Sequence, residues 1–130
     1  MPLRSNAEWL RALQEQQGEA LSEALQDLYD YLLRAVLVYL SQSRGELADW
    51  SRDDLRNLAQ DLAQDALLEV RENLGSFKGE SKFTTWAYRF VINRAASELR
   101  RLRYRNVSFD QLHEEEPAVF QELLLEHGVV

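Results

Sequence analysis

The apolar residues of this 130-residue chain recur every three to four positions along one extended segment. From Glu19 to about Ser43 this spacing predicts one long amphipathic helix, because it places the apolar side chains on one side. The main row consists of Leu21, Leu25, Leu28, Leu32, Val36 and Tyr39, and a second row of Tyr29, Leu33, Leu37 and Leu40 broadens it. No long segment alternates apolar and polar residues as a strand would. We therefore predict an all-α fold, a compact bundle of about four helices.

Capping signals and glycines predict the remaining helices. A serine three residues before an acidic residue is a start signal, and it predicts helices over about residues 5–18 and 51–74. Residues 44–50 break the apolar pattern, and the segment SFKGESKF indicates an ordered glycine-containing loop. A fourth helix is predicted over residues 84–104, which completes a bundle of single-domain size.

The end of the chain is predicted to be separate from the bundle. We expect a helical domain over residues 1–109, followed by an acidic connection and a short terminal helix within residues 110–130. The connection includes the acidic run Glu114–Glu116. Pro117 suits the first turn of the terminal helix, which should continue to about Glu126, because proline lacks an N–H that this turn would leave unpaired.

Composition excludes several classes of protein. The chain is 45% hydrophobic and 28% charged and has no cysteine, which favours a folded, soluble protein of the reducing cytoplasm. Its most apolar run contains an arginine and is too short to cross a bilayer, so we expect no membrane insertion. His113 and His127 lie in polar segments, where we expect them to be solvated. We predict no catalytic residue, no metal site and no cofactor.

Positive charge is concentrated in one part of an acidic chain. The net charge is −7, yet residues 78–105 contain eight basic and two acidic residues, so this segment carries +6 and the remainder −13. Such asymmetry indicates a surface for a polyanion beside an acidic surface with another use.

The fourth predicted helix divides into two arcs at about 100° per residue. The apolar arc consists of Ala87, Tyr88, Val91, Ile92, Ala95, Leu99 and Leu102. The opposite arc consists of Arg89, Asn93, Arg94, Ser97, Arg100, Arg101 and Arg103, together with Trp86 and Phe90. Arginines can neutralise phosphates while aromatic rings stack on unpaired bases, so this arc favours single-stranded nucleic-acid binding. Phe77 and Phe83 flank the adjacent loop, and Gly79 permits a nucleotide to approach its backbone closely.

A plainer interpretation of the same arc remains open. Trp86 and Phe90 would pack under the Gly75–Lys82 loop or the first helix, and the arginines would form an ordinary solvated face. The third predicted helix carries the opposite charge on its outer arc, with Leu68 among the residues Asp54, Asn57, Asp61, Gln64, Asp65 and Glu72. This pattern favours a protein partner, although acidic helix faces often serve solubility alone.

Two segments, DLAQDALLEV and FKGESKFTTWAYRFVINRAASELRR, resemble region 2 of the extracytoplasmic-function group of RNA polymerase sigma factors. The resemblance covers about residues 55–112, including the connector VSFDQL. It implies that the third helix binds the clamp coiled coil of the largest subunit of core RNA polymerase through Asp61, Gln64, Asp65 and Leu68. It also implies that the glycine loop and the next helix melt the minus-ten promoter element and hold flipped bases of the non-template strand.

The same resemblance implies roles for particular residues at the DNA. Residues that hold flipped bases would be Lys78, Gly79, Glu80, Ser81, Phe83 and Trp86. Residues that follow the backbone and the duplex edge would be Arg89, Asn93, Arg94, Arg100 and Arg101. Ser97 stands where many relatives carry Asp or Asn near the upstream base pairs, and Lys82 and Phe90 complete the predicted DNA-binding set.

Other functions remain possible interpretations of the sequence. No helix-turn-helix for the minus-thirty-five element follows the connector, so we expect an excised N-terminal domain. The alternative is a natural protein that works without region 4 or delegates its role to a partner. The chain could instead be a sigma-like interaction module that no longer opens promoters, or a general single-strand-binding domain. An anti-sigma factor is a further candidate partner.

Overall fold

A computed structural model describes residues 4–105 and 123–128, without the side chain of Arg44. The predicted connector over residues 106–112, the acidic run Glu114–Glu116 and the predicted helix start at Pro117 lie outside the described residues. The boundary predicted near residue 109 lies there too and stays a prediction.

The first helix, α1 (Asn6–Gln14), begins at the predicted capping signal. The Ser5 hydroxyl oxygen accepts a hydrogen bond from the Glu8 backbone N–H at 3.1 Å, and the Glu8 carboxylate accepts one from the Ser5 N–H at 2.8 Å. This reciprocal pair satisfies donors that the start of a helix leaves unpaired, and it lowers the pKa of Glu8 because the Ser5 N–H stabilises the charged carboxylate. The capping-box prediction is confirmed.

Three long helices make up most of the bundle: α2 (Glu19–Ser41), α4 (Arg52–Glu72) and α5 (Phe83–Arg105). The start predicted for α4 is confirmed, since the Ser51 hydroxyl oxygen accepts a hydrogen bond from the Asp54 N–H at 3.0 Å. This helix ends two residues earlier than predicted, and a 3₁₀ turn at Leu74–Ser76 leads into the loop.

The segment over residues 44–50, in which we saw no helical pattern, contains the short helix α3 (Arg44–Leu47). Its one turn is too short for a period to be visible in the sequence. It places Leu47 in the core with only 2% of its surface exposed. Burial of a leucine contributes about 1.5–3 kcal/mol, which compensates for the weak intrinsic stability of so short a helix.

The core lies where α2 packs against both α4 and α5, while α4 and α5 also pack on each other and α1 covers one side of α2. No strand occurs in the residues that the structure describes, so the all-α prediction is confirmed. Both predicted arcs of α2 contribute to the core, although Leu25, Tyr29 and Tyr39 are only partly buried. Within the described ranges, no helix is both long and apolar enough to cross a membrane.

A helical turn over residues 123–126 returns to the bundle. Leu123 is fully buried, and the Glu126 carboxylate accepts hydrogen bonds from the guanidinium groups of Arg52 and Arg56 near the start of α4. Our expectation that His127 is solvated was wrong. Its ring is partly buried, and its Nε2 has no hydrogen-bond partner among the described residues, because the turn packs on the bundle instead of extending into solvent.

Candidate functional site

The loop between the 3₁₀ turn and α5 presents its polar residues to solvent. Lys78, Gly79, Glu80 and Lys82 are exposed, and Ser81 is partly exposed. Gly79 has a φ of +74°, a conformation that residues with a Cβ rarely adopt. A Cβ added there would meet no atom within 4 Å, so the backbone conformation itself, and not crowding, favours glycine. The loop therefore forms an open, turned backbone segment at the start of α5.

Five aromatic rings form a continuous cluster beneath and beside this loop. Neighbouring rings have centroids 5.0–5.4 Å apart, in the order Trp9, Phe83, Phe77, Trp86 and Phe90. Such separations are typical of favourable aromatic pairs, worth about 0.5–1.5 kcal/mol each beyond burial. The cluster fixes the position of the loop and of the first turns of α5.

Phe83 is placed differently from our prediction. Its side chain is only 1% exposed, and its ring stacks on Trp9 of α1 at an interplanar angle of 19°. It therefore supports the loop from inside the bundle, and its ring is not open to a base in this conformation. The sequence suggested a surface position because Phe83 lies among polar loop residues, whereas its stacking partner is far away in the chain.

The positions of Trp86 and Phe90 agree in part with both earlier interpretations, rings exposed for stacking on bases and rings packed under the loop. Both are partly buried and pack against the core, and Trp86 also contacts Phe77 of the loop. The interpretation that they pack under the loop is thus partly confirmed. Neither ring is fully buried, so each retains an exposed part beside the polar arc of α5.

The polar arc of α5 lies at the surface as predicted. Arg89, Asn93, Ser97, Arg100 and Arg101 are exposed, and only Arg94 is partly buried. The guanidinium of Arg100 donates a hydrogen bond to the Ser97 hydroxyl oxygen at 3.1 Å. On the opposite arc Ile92 is partly buried and Tyr88 is 39% exposed, while the other members are buried. The assignment of Tyr88 to the core was therefore wrong. A tyrosine at the rim can keep its hydroxyl in water while its ring covers apolar atoms.

Several arginines of α5 are paired with acidic residues. The Nε of Arg94 donates to the Glu69 carboxylate at 2.8 Å, and its Nη1 lies 3.8 Å from the Asp65 carboxylate. Arg101 pairs with Glu98 one turn earlier, which raises the pKa of Arg101 through the hydrogen bond between them. In addition, Arg103 reaches Glu46 of α3 at 3.0 Å.

Four other basic side chains of the loop and α5 remain available to bind an anion. Within residues 4–105 and 123–128, no acidic residue forms an ion pair with Lys78, Lys82, Arg89 or Arg100. They extend from the loop along the exposed side of α5. Between this side and α4 lies a groove of about 540 Å³, whose polar lining includes Asn93, Arg94 and Ser97. The groove can offer both hydrogen-bond donors and acceptors to a ligand.

The outer face of α4 is acidic and exposed. Asp61, Gln64, Asp65 and Leu68 are separated by three or four residues, so they lie side by side on the helix, and all four are exposed. Leu68 has 48% of its surface in solvent. The predicted set is therefore brought together on one face, which meets the basic arc of α5 where Asp65 and Glu69 approach Arg94.

Sequence reasoning missed a shallow groove next to this acidic face. It lies between α2 and α4 and is lined by Leu25, Tyr29, Gln64 and Leu67, among others. Burial, followed by the negative charges of Asp30 and Asp61, raises the pKa of Tyr29. Leu25 and Tyr29 lie within the two predicted apolar rows of α2, so their partial exposure depends on how α2 and α4 pack and has no local signal in the sequence.

Asn6 was also missed. Its side-chain oxygen accepts a hydrogen bond from the Phe83 backbone N–H at 2.8 Å, and its Nδ2 donates to the Ser81 carbonyl oxygen at 3.0 Å. No local signal could reveal contacts between residues more than 70 positions apart. Within the described residues, no group of three or more His, Cys, Asp or Glu side chains is arranged to hold a metal ion.

These features describe an all-helical domain with an acidic surface joined to a basic and aromatic one. A family model, Sigma-70 region 2, matches residues 25–105 of the chain. The chain therefore belongs to the sigma-70 region 2 family, as its sequence predicted. The match begins at residue 25, well before the first segment that carried the resemblance, which begins at Asp61.

One curated relative is a sigma factor. The RNA polymerase sigma-H factor of Pseudomonas aeruginosa is 49% identical over 41 residues, which cover 32% of this chain and 21% of that protein. The matched segment thus spans about a fifth of the length of the relative. No solved structure matches the chain significantly. Neither finding names the extracytoplasmic-function group, so membership of that group stays a prediction.

Proposed function

We propose that this chain is a sigma-factor domain that binds core RNA polymerase and recognises and melts the minus-ten promoter element in transcription initiation. Family membership and the sigma-factor relative support this role. The observation that carries the proposal is the arrangement of two exposed faces of opposite charge on adjacent helices of the matched segment. Such a domain would work in the cytoplasm, without a cofactor and without catalysing a reaction.

The acidic face of α4 is proposed to bind the clamp coiled coil of the largest polymerase subunit. Asp61, Gln64 and Asp65 can form polar contacts around Leu68, which is exposed in their midst. An apolar residue surrounded by polar ones is a common arrangement in protein interfaces, where the rim excludes water from a buried centre. An anti-sigma factor, if one regulates this chain, would compete by covering this face or the basic one.

The loop and the first half of α5 are proposed to hold flipped bases of the non-template strand. Gly79 keeps the loop open to a close approach, and Trp86 and Phe90 can stack on bases with the exposed parts of their rings. Stacking contributes about 1–3 kcal/mol per base, which is comparable to the few kcal/mol needed to extract a base from a duplex. Phe83 would contribute indirectly by supporting these elements from the core.

The available cations are proposed to neutralise the DNA backbone. Lys78, Lys82, Arg89 and Arg100 lie along the loop and α5, so they can contact phosphates on either side of the stacked bases. Asn93, Arg94, Ser97 and Arg101 border the groove on the same side, where the edge of the duplex would lie. Local positive charge allows an acidic chain to bind DNA because salt screens charges beyond about 10 Å.

A sigma-like regulatory module that no longer opens promoters is the second candidate. One observation favours it: Arg94, Arg101 and Arg103 are all paired with acidic residues of the same chain. Paired arginines have less to gain from phosphates, because part of each guanidinium is already hydrogen-bonded to a carboxylate and its charge is partly compensated.

Fluorescence binding to a single-stranded minus-ten non-template oligonucleotide, with and without core RNA polymerase, distinguishes these functions. Scrambled oligonucleotides of equal length are the control. The proposed function predicts sequence-selective binding that improves with the core enzyme, and a log–log salt dependence with a slope of about −0.7 per phosphate contacted. Polymerase binding without DNA selectivity would favour the regulatory module. Equal binding to all oligonucleotides, with no effect of polymerase, would indicate a general single-strand-binding domain.

A further inference from the structure

The loop proposed to hold bases is fastened to a helix that lies outside the matched family segment. Asn6 is the first residue of α1, whereas the family match begins at residue 25. Its side-chain amide makes two hydrogen bonds to the end of the loop, one from the Phe83 N–H and one to the Ser81 carbonyl oxygen. These bonds hold the loop where it turns into α5.

The two bonds require both halves of the amide group. The Phe83 N–H belongs to the first turn of α5, where backbone donors have no partner within the helix, and the Asn6 oxygen satisfies it. The Asn6 nitrogen then satisfies the Ser81 carbonyl. An amide side chain can accept and donate at once, whereas a carboxylate can only accept. The chemistry of asparagine therefore matches this position.

The rest of α1 holds Asn6 in place. Trp9, one turn further along, stacks on Phe83 with ring centroids 5.3 Å apart. Arg4 lies over the Trp9 ring at 4.6 Å and pairs with Asp27 of α2 at 2.7 Å. Helix α1 is thus fixed both to the core of the bundle and to the base of the loop.

Exposed loops lose conformational freedom when they bind a ligand, and this cost lowers affinity. The loop over residues 78–82 has few buried atoms of its own, and its Gly79 permits many backbone conformations in the absence of outside constraints. Fixing its end before the ligand arrives reduces the cost of binding. A contact that fixes the loop can therefore strengthen binding without touching the ligand.

We infer that Asn6 is a positioning residue for the DNA-binding loop, and that α1 is part of the machinery that prepares the loop for flipped bases. This inference rests on the proposed function. It assigns a role in DNA binding to a part of the chain that contributes no residue to the predicted interface.

Three variants of the whole chain test the inference. Asn6→Ala removes both hydrogen bonds, whereas Asn6→Asp keeps an acceptor for the Phe83 N–H and loses the donor to Ser81. Ser5→Ala is the matched control, because it removes the hydrogen bond that caps α1, and the Ser5 side chain forms no hydrogen bond with the loop among the described residues. Each is measured for binding to the minus-ten oligonucleotide, binding to core polymerase, and hydrogen exchange of the backbone amides of residues 77–83.

Asn6→Ala is expected to weaken oligonucleotide binding about tenfold and to speed exchange of the Phe83 amide, because the loop must then be ordered during binding. Asn6→Asp should cause a smaller loss of oligonucleotide binding and a smaller increase in Phe83 amide exchange than Asn6→Ala. Ser5→Ala should stay within about twofold of the wild type in oligonucleotide binding, and all three should bind polymerase normally.

Other outcomes would contradict either the inference about Asn6 or the proposed function. Unchanged oligonucleotide binding by Asn6→Ala, with wild-type binding intact, overturns the inference alone. Equal losses in Asn6→Ala and Ser5→Ala overturn it too, since they would reflect fraying of α1. Failure of the wild-type chain to select the minus-ten sequence overturns the proposed function, and the role of Asn6 in DNA binding with it.

Discussion

The outer face of α4 and the polar arc of α5 differ in how many of their side chains already interact with other residues of the chain. On α4, the four predicted polymerase contacts are exposed, and only Asp65 lies within ion-pair distance of a cation in the described residues. On α5, two of the predicted arginines are paired with acidic residues, and the two predicted aromatic rings that reach the surface are partly buried.

This difference suggests that binding a partner would disturb fewer existing interactions on the α4 face than on the α5 face. The α4 face can meet a protein partner almost as it stands, because its side chains already point into solvent. If the α5 face contacts phosphates as proposed, Arg94 and Arg101 must share their N–H groups between phosphates and these acidic residues. The two faces also meet at Arg94, whose ion-pair distance to Asp65 links a predicted DNA contact to a predicted polymerase contact.

The largest expected effect is on stability, and it distinguishes the buried ring of Phe83 from the exposed side chain of Leu68. Phe83→Ala should lower the free energy of unfolding by about 3–5 kcal/mol, because it removes a buried ring from the aromatic cluster. Leu68→Ala should change it by less than about 0.5 kcal/mol, since that leucine is exposed. Urea denaturation of both variants measures the difference. Similar losses would show that the α4 face is part of the core.

The next effect concerns the loop backbone. Gly79→Ala should cost about 1–2 kcal/mol of stability, because alanine is strained at a φ of +74°. Gly75→Ala is the matched control: it lies in the 3₁₀ turn without a positive φ, and an added Cβ meets no atom within 4 Å at either position. That control should be neutral or stabilising by up to about 1 kcal/mol. Equal unfolding midpoints for the two variants would refute the conformational role of Gly79.

A smaller effect tests whether paired arginines limit DNA binding. Glu69→Gln should strengthen oligonucleotide binding about two- to fivefold. It removes the ion pair between Glu69 and Arg94, which is partly exposed and therefore weak, and leaves Arg94 more available to phosphates. Glu72→Gln is the control, since it removes the same charge from exposed α4 without disturbing Arg94. Equal affinities for the two variants, measured by fluorescence anisotropy, would mean that the ion pair imposes no cost.

The smallest effect concerns the start of α4 and depends on pH. The hydrogen bond from Arg56 lowers the pKa of Glu126, so the contribution of this carboxylate to stability is present above the ordinary pKa of glutamate and is lost as the pH falls through the lowered value. Thermal unfolding of Glu126→Gln should therefore differ slightly from the wild type at pH 7 and coincide with it near pH 3. A difference that persists at the lower pH would point to packing and not charge.

Local signals in the sequence predicted the helices well. Ser5 and Ser51 start their helices at the predicted positions, because capping depends on residues three positions apart. The acidic face of α4 was predicted for a similar reason, since helical spacing alone places Asp61, Gln64, Asp65 and Leu68 together.

Contacts between distant residues could not be predicted in this way. The burial of Phe83 depends on Trp9, and the loop is fixed by Asn6, both far away in the sequence. The pairing of Arg94 with Glu69 likewise depends on how α4 and α5 pack. Helical periodicity gives the direction of a side chain on its own helix but not the neighbour that it meets.

The most direct test of the central claim measures Trp86→Ala and Asp61→Ala in two binding assays, with core RNA polymerase and with the single-stranded minus-ten oligonucleotide. The two variants should show opposite losses. Trp86→Ala should weaken oligonucleotide binding by about 1–3 kcal/mol and spare polymerase binding, because it removes a stacking surface. Asp61→Ala should weaken polymerase binding and spare the oligonucleotide. Identical losses of both variants in both assays would contradict the assignment of two separate binding faces.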